Sequence, residues 1–354
     1  MDPFTLSLNT VRGKAMHALV LYGLWCAKHI CSPKAVDKMV PEVKELLEMH
    51  LNPDYEPTQT VRAVYGRYLP NLFYLNSEWT ERQLPKIFPK GAEFRALSRA
   101  AWEAYVKYAT VYSDVYSKMG NEYRNAINKL NSPKISHDAK SKLAEHLTLA
   151  YLWGLEELGN DSLISKFFKM KQYPVNGHAI WFIGKVLDNI QKEETDIKVK
   201  ERIMERCLEL WKWRIDEARK MDETERKQVA EELKVFGFWF INSPFDKKSV
   251  ISQLCVTLEI TEGIMDFATE IIKKLPEYAN DCSSEVLRIL DLLVRGDKNR
   301  LLPMLSKEKI SDILEIITTK RPPQEIRVPV NRLVDSLTRM GHHEFRKFFI
   351  KDQV

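Results

Sequence analysis

Glycine and proline are scarce, 13 and 16 residues in a chain of 354. That scarcity excludes the many tight turns of an all-β protein. No run alternates apolar and polar residues, and helical spacing dominates from end to end. Long hydrophobic runs are also missing. The longest, Ala18 to Ala27, is too short for the ~20 residues a bilayer-spanning helix needs, and His17 and Lys28 flank it. No membrane contact is expected. Cysteine is rare and odd in number: Cys26, Cys31, Cys207, Cys255 and Cys282 mostly sit inside apolar helical runs. This argues against a disulfide framework and for buried thiols in a reducing cytoplasm. No signal peptide and no Gly/Ser linker is visible. The phosphate and catalytic signatures GxxxxGKS/T, GxGxxG, GxSxG, HExxH and the EF-hand loop are all missing. Nucleotide hydrolysis by those devices is therefore not expected, and no catalytic residue or cofactor is nominated.

What remains is ordinary composition, 44% hydrophobic and 29% charged, with a net charge of +5. The charge is uneven. From Ser283 to Val354 there are 14 lysines and arginines against 10 aspartates and glutamates, a net +4. That end is compatible with acidic partners or nucleic acid without forming a polybasic stripe.

A short signature occurs twice. Thr10-Val11-Arg12 opens TVRGKAMHALVLYGLW, and Thr60-Val61-Arg62 opens TVRAVYGRYLPNLFYL. Each places a β-branched residue and an arginine at the head of an apolar helical run. The 50-residue spacing is close to the roughly 40–47 of HEAT or armadillo helix pairs. The fold expected is all-α, an irregular α-solenoid of HEAT/TPR-like helical hairpins. Such stacks make contact surfaces more often than catalytic pockets. Residues 1–5, Met-Asp-Pro-Phe-Thr, read as a cloning-derived junction, and residues 6–354 as one continuous helical-repeat domain with a weak division near 131–136.

Helices are expected over Asn9 to Ile30, from a Ser32-Pro33 start with a break at Pro41, and over Glu42 to Leu51. Further ones run from Thr58, from Ser77, and over Gly91 to Ala109, Ser113 to Leu130 and Asp138 to Leu158. The rest run over Leu163 to Met170, Val175 to Gln191, Asp196 to Met221, Glu223 to Ile241, Ser249 to Glu259, Gly263 to Leu275, Ser283 to Val294, Lys309 to Thr318 and Val328 to Met340. Asn242-Ser243-Pro244 reads as a stop.

Few residues invite chemistry. Cys26 and His29 share a helix face, but Cys31 points away from both and a zinc site would need a fourth ligand, so no metal is assigned. His342-His343 have no carboxylate or nucleophile placed to orient them. Arg12 and Arg62 fit a structural role, pairing with an acid or carbonyl of the next repeat. In Leu210-Trp211-Lys212-Trp213-Arg214, the stripe Met204, Leu208, Trp211, Ile215 and Ala218 defines one helix face. Trp213 falls about 200° around from Trp211. Lys212, Trp213 and Arg214 are therefore candidate partner contacts. Lys166, Lys169, Lys171 and Tyr173 form a basic patch with aromatics that could track phosphates.

Three stretches together carry a resemblance. They are LNTVRGKAMHALVLYGLW (Leu8 to Trp25), HLNPDYEPTQTVRAVYGRYLPNLFYLNSEWTERQLPKIFP (His50 to Pro89) and VFGFWFINSPFDKKSVISQL (Val235 to Leu254). In this order they resemble the C-terminal helical-repeat region of prokaryotic antiviral STAND NTPases of the AVAST type. In that family an effector and a central NTPase precede a repeat region that serves as sensor. The resemblance implies a sensor for a conserved phage structural or packaging protein, such as the large terminase or the portal. The chain departs from the family pattern in having no Walker motif. The NTPase and effector therefore lie outside it, and no catalytic residue carries over. Two other classes stay open. One is a HEAT-like nucleic-acid-binding module. The other is a base-excising helical glycosylase, which needs a carboxylate beside stacked aromatics, and no pairing in the sequence nominates that acid.

Overall fold

Asp2 already shows how this chain starts its helices. Its carboxylate accepts hydrogen bonds from the Phe4 and Thr5 amides, both at 3.1 Å, and Pro3 occupies the first turn. The computed structural model describes residues 2–194, 196–242, 245–320 and 323–351. Among them it has 21 α-helices, three short 3-10 turns and no strand. The all-α expectation holds. The chain divides into two compact units, Met1–Met170 and Lys171–Val354. Residues 131–136 lie inside the first, as the turn that ends at Ser136, whose hydroxyl accepts from the Ala139 amide.

The first unit holds α1 (Pro3–Asn9), α2 (Val11–His29), α3 (Pro41–Leu51), α4 (Gln59–Arg67), α5 (Leu69–Leu75) and α6 (Ser77–Ile87). It continues with α7 (Arg95–Tyr108), α8 (Ser113–Lys118), α9 (Gly120–Asn128), α10 (His137–Leu152) and α11 (Leu163–Lys169). The long first helix expected from Asn9 begins at Val11, because Thr10 is extended and its hydroxyl caps the Gly13 amide. The Ser32-Pro33 start is corrected. No helix forms there, and α3 begins at Pro41, whose fixed φ suits a first helical position. The proline that reads as a break is the initiator. In the same way, Gly91 to Phe94 form a turn ahead of α7, and α10 stops at Leu152.

Two glycines set how closely these helices pack. A Cβ on Gly13 would stand 2.1 Å from the Ser7 carbonyl oxygen, and one on Gly66 would stand 1.9 Å from that of Ala101. Gly66, Ala63, Ala100, Ala101 and Ala104 thus form a small-residue seam along which α4 lies on α7.

The second unit holds α12 (Tyr173–Lys192), α13 (Ile197–Arg219), α14 (Glu223–Leu233), α15 (Gly237–Asn242) and α16 (Lys247–Ile260). It ends with α17 (Ala268–Lys274), α18 (Ser283–Gly296), α19 (Leu302–Leu305), α20 (Lys307–Lys320) and α21 (Pro323–Arg339), then a 3-10 turn, His343–Phe348. One continuous helix was expected over Glu223 to Ile241. The structure interrupts it with a 3-10 turn at Lys234–Phe236, where the Lys234 carbonyl accepts from the Asp266 amide at 3.1 Å. The helix expected from Gly263 begins only at Ala268, since Glu262, Gly263 and Phe267 all take positive φ. Of the expected stop, Asn242 ends α15; Ser243 and Pro244 lie outside the described residues.

The core of this unit is aromatic. Trp211 stacks on Phe236 at 4.8 Å, and Trp239 meets Phe236 edge-on at 4.8 Å; all three are buried. Both indoles find acceptors. Trp211 Nε1–H donates to Thr257 Oγ1 at 2.9 Å and Trp239 Nε1–H to the Ile180 carbonyl at 2.7 Å.

Candidate functional site

The two signature arginines serve the first unit's own packing. Exposed Arg12 reaches Glu56 Oε2 at 3.6 Å, just ahead of the second signature helix. Glu56 is itself buried and accepts from the Thr58 amide at 3.2 Å. Arg62 is buried, and its guanidinium donates to the Lys86 carbonyl at 2.5 Å and the Leu51 carbonyl at 3.1 Å. It ties α4 to the ends of α3 and α6, and burial holds its pKa below the usual arginine value.

On α13 the exposure expected of Arg214 is corrected. The buried face runs through Ile203, Cys207, Leu210, Trp211, Arg214, Ile215 and Ala218, so Trp211, Ile215 and Ala218 of the expected stripe are buried while Met204 and Leu208 are half-buried. Arg214 is only 2% exposed. Its Nε donates to Glu232 Oε1 at 2.5 Å and its Nη2 to Oε2 at 3.2 Å, while Asn176 Nδ2 donates to the same carboxylate at 3.0 Å. A buried pair therefore fastens α12, α13 and α14 together. Trp213 is half-buried with the Arg214 guanidinium 5.0 Å from its ring centre, and Lys212 alone of the three is exposed.

The lysine patch also changes character. Lys166 and Lys169 sit on α11 in the first unit, with Asp161 and Asn160 at 3.3 Å each. Lys171 and Tyr173 belong to the second unit. Lys171 is bonded to Glu225, and Tyr173 is buried rather than exposed as expected. At the thiols, Cys26 is buried, Cys31 Sγ donates to the Lys38 carbonyl at 3.5 Å, and His29 tilts against Trp25. No group of three or more His, Cys, Asp or Glu placed to hold a metal ion occurs among the described residues. No helix among them is long and apolar enough to cross a membrane.

Three surfaces remain. The first is the outer face of α2. Val11, Ala15, Ala18, Tyr22, Trp25 and His29 repeat at alternating steps of four and three, and all six are exposed. Val11 is 87% and Trp25 52% exposed. On the adjacent α3, Leu46 and Met49 are exposed too, and the Tyr22 hydroxyl donates to Glu42 at 3.0 Å. The opposite face, through Met16, Val20 and Gly23, is buried. A helix apolar on both sides and open on one leaves a hydrophobic face uncovered.

The second surface is a cleft of about 830 Å³ between α7 and α9. Arg95, Arg99, Trp102 and Glu103 line one wall at helical spacing; Glu122, Asn125 and Lys129 line the other, with Lys90 and Lys134 at its ends. Glu103 and Glu122 are half-buried, and burial raises both carboxyl pKa values above the usual range. Beneath Trp102 runs a buried hydrogen-bond chain. His146 Nε2–H donates to the Ala109 carbonyl at 3.2 Å, so Nδ1 accepts from the Tyr123 hydroxyl at 2.8 Å. The Tyr123 oxygen in turn accepts from Tyr105 at 3.0 Å. Burial lowers the His146 pKa to about 4, so the ring is neutral near pH 7.

The third surface is a groove of about 530 Å³ lined by Arg295 of α18 and by Arg327, Arg332, Asp335 and Arg339 of α21. Arg295 also forks onto the buried Asp291, which accepts from Ser336 at 3.2 Å. No protein-family model, curated protein or solved structure matches this chain.

Proposed function

We propose that this chain is a non-catalytic recognition module, the sensor region of an antiviral STAND NTPase, built as an irregular α-solenoid of HEAT/TPR-like hairpins. Its ligand is a conserved phage protein such as the large terminase or the portal. The observation that carries the reading is the uncovered apolar face of α2, running from Val11 to Trp25 beside Leu46 and Met49. Exposed aromatic and aliphatic side chains in one continuous patch are the usual core of a protein–protein interface. The same helix carries the first of the three stretches that resemble the family. Binding a large folded target would bias the full-length protein toward its assembled state. Co-purification of the chain with purified terminase and portal proteins, without added ATP, tests this. Recovery of neither would count against it.

A second reading, a HEAT-like nucleic-acid-binding module, draws on the arginines of α18 and α21, which lie in the basic end of the sequence. It requires affinity for single- or double-stranded DNA that falls steeply as salt rises. No shift of either DNA at low salt would remove it.

A further inference from the structure

We propose that the cleft between α7 and α9 binds a ligand carrying phosphate groups on a flat ring system, the chemistry of a nucleotide. The inference stands independently of the phage-protein reading.

Charge argues for the phosphate. Five cations converge on the cleft, Lys90, Arg95, Arg99, Lys129 and Lys134, against Glu103 and Glu122. None of the five makes an ion pair within 4 Å to a carboxylate among the described residues. Elsewhere in the same unit Lys107, Lys118 and Lys142 each hold a carboxylate at 2.7–2.8 Å. Both walls contribute cations. Like charges gathered on facing walls repel, and the ligand that best offsets a net +3 is a multiply charged anion. A single carboxylate would leave most of that excess in place.

Geometry argues for the ring. Trp102 is half-buried and lines the cleft. Its inner side is fixed edge-on against Tyr123 at 5.2 Å and tilted against Tyr105 at 5.8 Å. Those tyrosines are held by the chain to His146 and the Ala109 carbonyl, so the indole sits on a rigid support. A held indole is a stacking platform for a planar base. Glu122, on the opposite wall and hydrogen-bonded to Asn125, offers a carboxylate oxygen to ring amino groups or sugar hydroxyls. The cleft's volume of about 830 Å³ admits a single nucleotide.

The experiment is isothermal titration of the full chain at low ionic strength with ATP, AMP, adenosine, pyrophosphate and an eight-nucleotide single strand. ATP is expected to bind, with adenosine and pyrophosphate each at least about tenfold weaker. Arg99→Glu combined with Lys129→Glu changes two exposed side chains and is expected to weaken ATP by about tenfold or more at unchanged melting temperature. Trp102→Leu is expected to weaken ATP and AMP while leaving pyrophosphate unchanged. If the strand binds more tightly than ATP, the phosphates come from a nucleic acid; if less tightly, from a free nucleotide. No binding of any phosphate-bearing probe at about 1 mM would overturn the proposal. So would ATP affinity that both variants leave unchanged. Co-purification of the charge-reversed variant with a phage protein separates failure here from failure of the sensor reading.

Discussion

The neutral histidine under the cleft sets how the first unit responds to acid. Burial lowers the His146 pKa from 6.5 to about 4. The unfolded chain therefore binds a proton near pH 6.5 that the folded chain refuses until about pH 4. Stability from this group is complete above pH 6.5 and is lost as pH falls between those two values. At about 1.4 kcal/mol per tenfold difference in proton affinity, the loss is about 3 kcal/mol. Glu103 and Glu122 act with the opposite sign. Their raised pKa values contribute stability at low pH that is lost as pH rises through the folded values, so wild type alone gives a mixed slope. The comparison that isolates the histidine is His146→Gln, whose amide can still accept from Tyr123 and donate to the Ala109 carbonyl. Native-state hydrogen exchange of α10 amides across urea, at about pH 7 and about pH 4.5, reads the unit's local stability. Wild type should lose about 2 kcal/mol more than His146→Gln over that interval, the remainder of the loss coming only below pH 4.5. Parallel losses in the two proteins would refute the reasoning.

Three further outcomes follow from the packing. Gly66→Ala drives a methyl into the Ala101 backbone, which cannot swing aside as a side chain would, and should cost about 2 kcal/mol in urea unfolding despite alanine's better helix propensity. Arg214→Ala leaves the Glu232 carboxylate buried beside the neutral Asn176 amide and should cost about 3–5 kcal/mol, whereas Arg214→Met with Glu232→Leu should recover most of that loss. A cost under about 1 kcal/mol for Arg214→Ala would contradict the buried pair. Trp25→Glu changes a side chain that is 52% exposed and should leave the melting temperature within about 2 °C of wild type.

The all-α class was legible because apolar spacing, caps and the scarcity of glycine and proline point the same way. Boundaries failed where a distant contact decides them. The interruption at Lys234 follows from a hydrogen bond to Asp266, which no local pattern encodes. Pro41 differs from its expected role as a break for a local reason: Ser32-Pro33 offers the same start signal, and only Pro41 opens a helix. On α13 the buried face is wider than a single stripe through Trp211, Ile215 and Ala218, and it takes in Arg214 as well. A helix packed on two sides gives the sequence two apolar faces to choose between. The outer face of α2 is hidden because its exposed Tyr22 and Trp25 lie inside the unbroken apolar run Ala18 to Ala27. The cleft joins residues from 88 to 103 with residues from 122 to 135, so no single window displays it. Its one local trace is the cation-and-aromatic spacing of Arg95, Arg99 and Trp102 on a single helix face.

The most direct measurement is the mass of the complex when the chain is co-expressed with phage terminase and portal proteins, once as wild type and once with Tyr22→Glu and Trp25→Glu together. The account predicts a stoichiometric complex for wild type with one of these partners and free, folded chain for the variant. A variant that assembles as well as wild type would contradict recognition through α2. Wild type that stays alone across the panel would contradict the sensor reading itself.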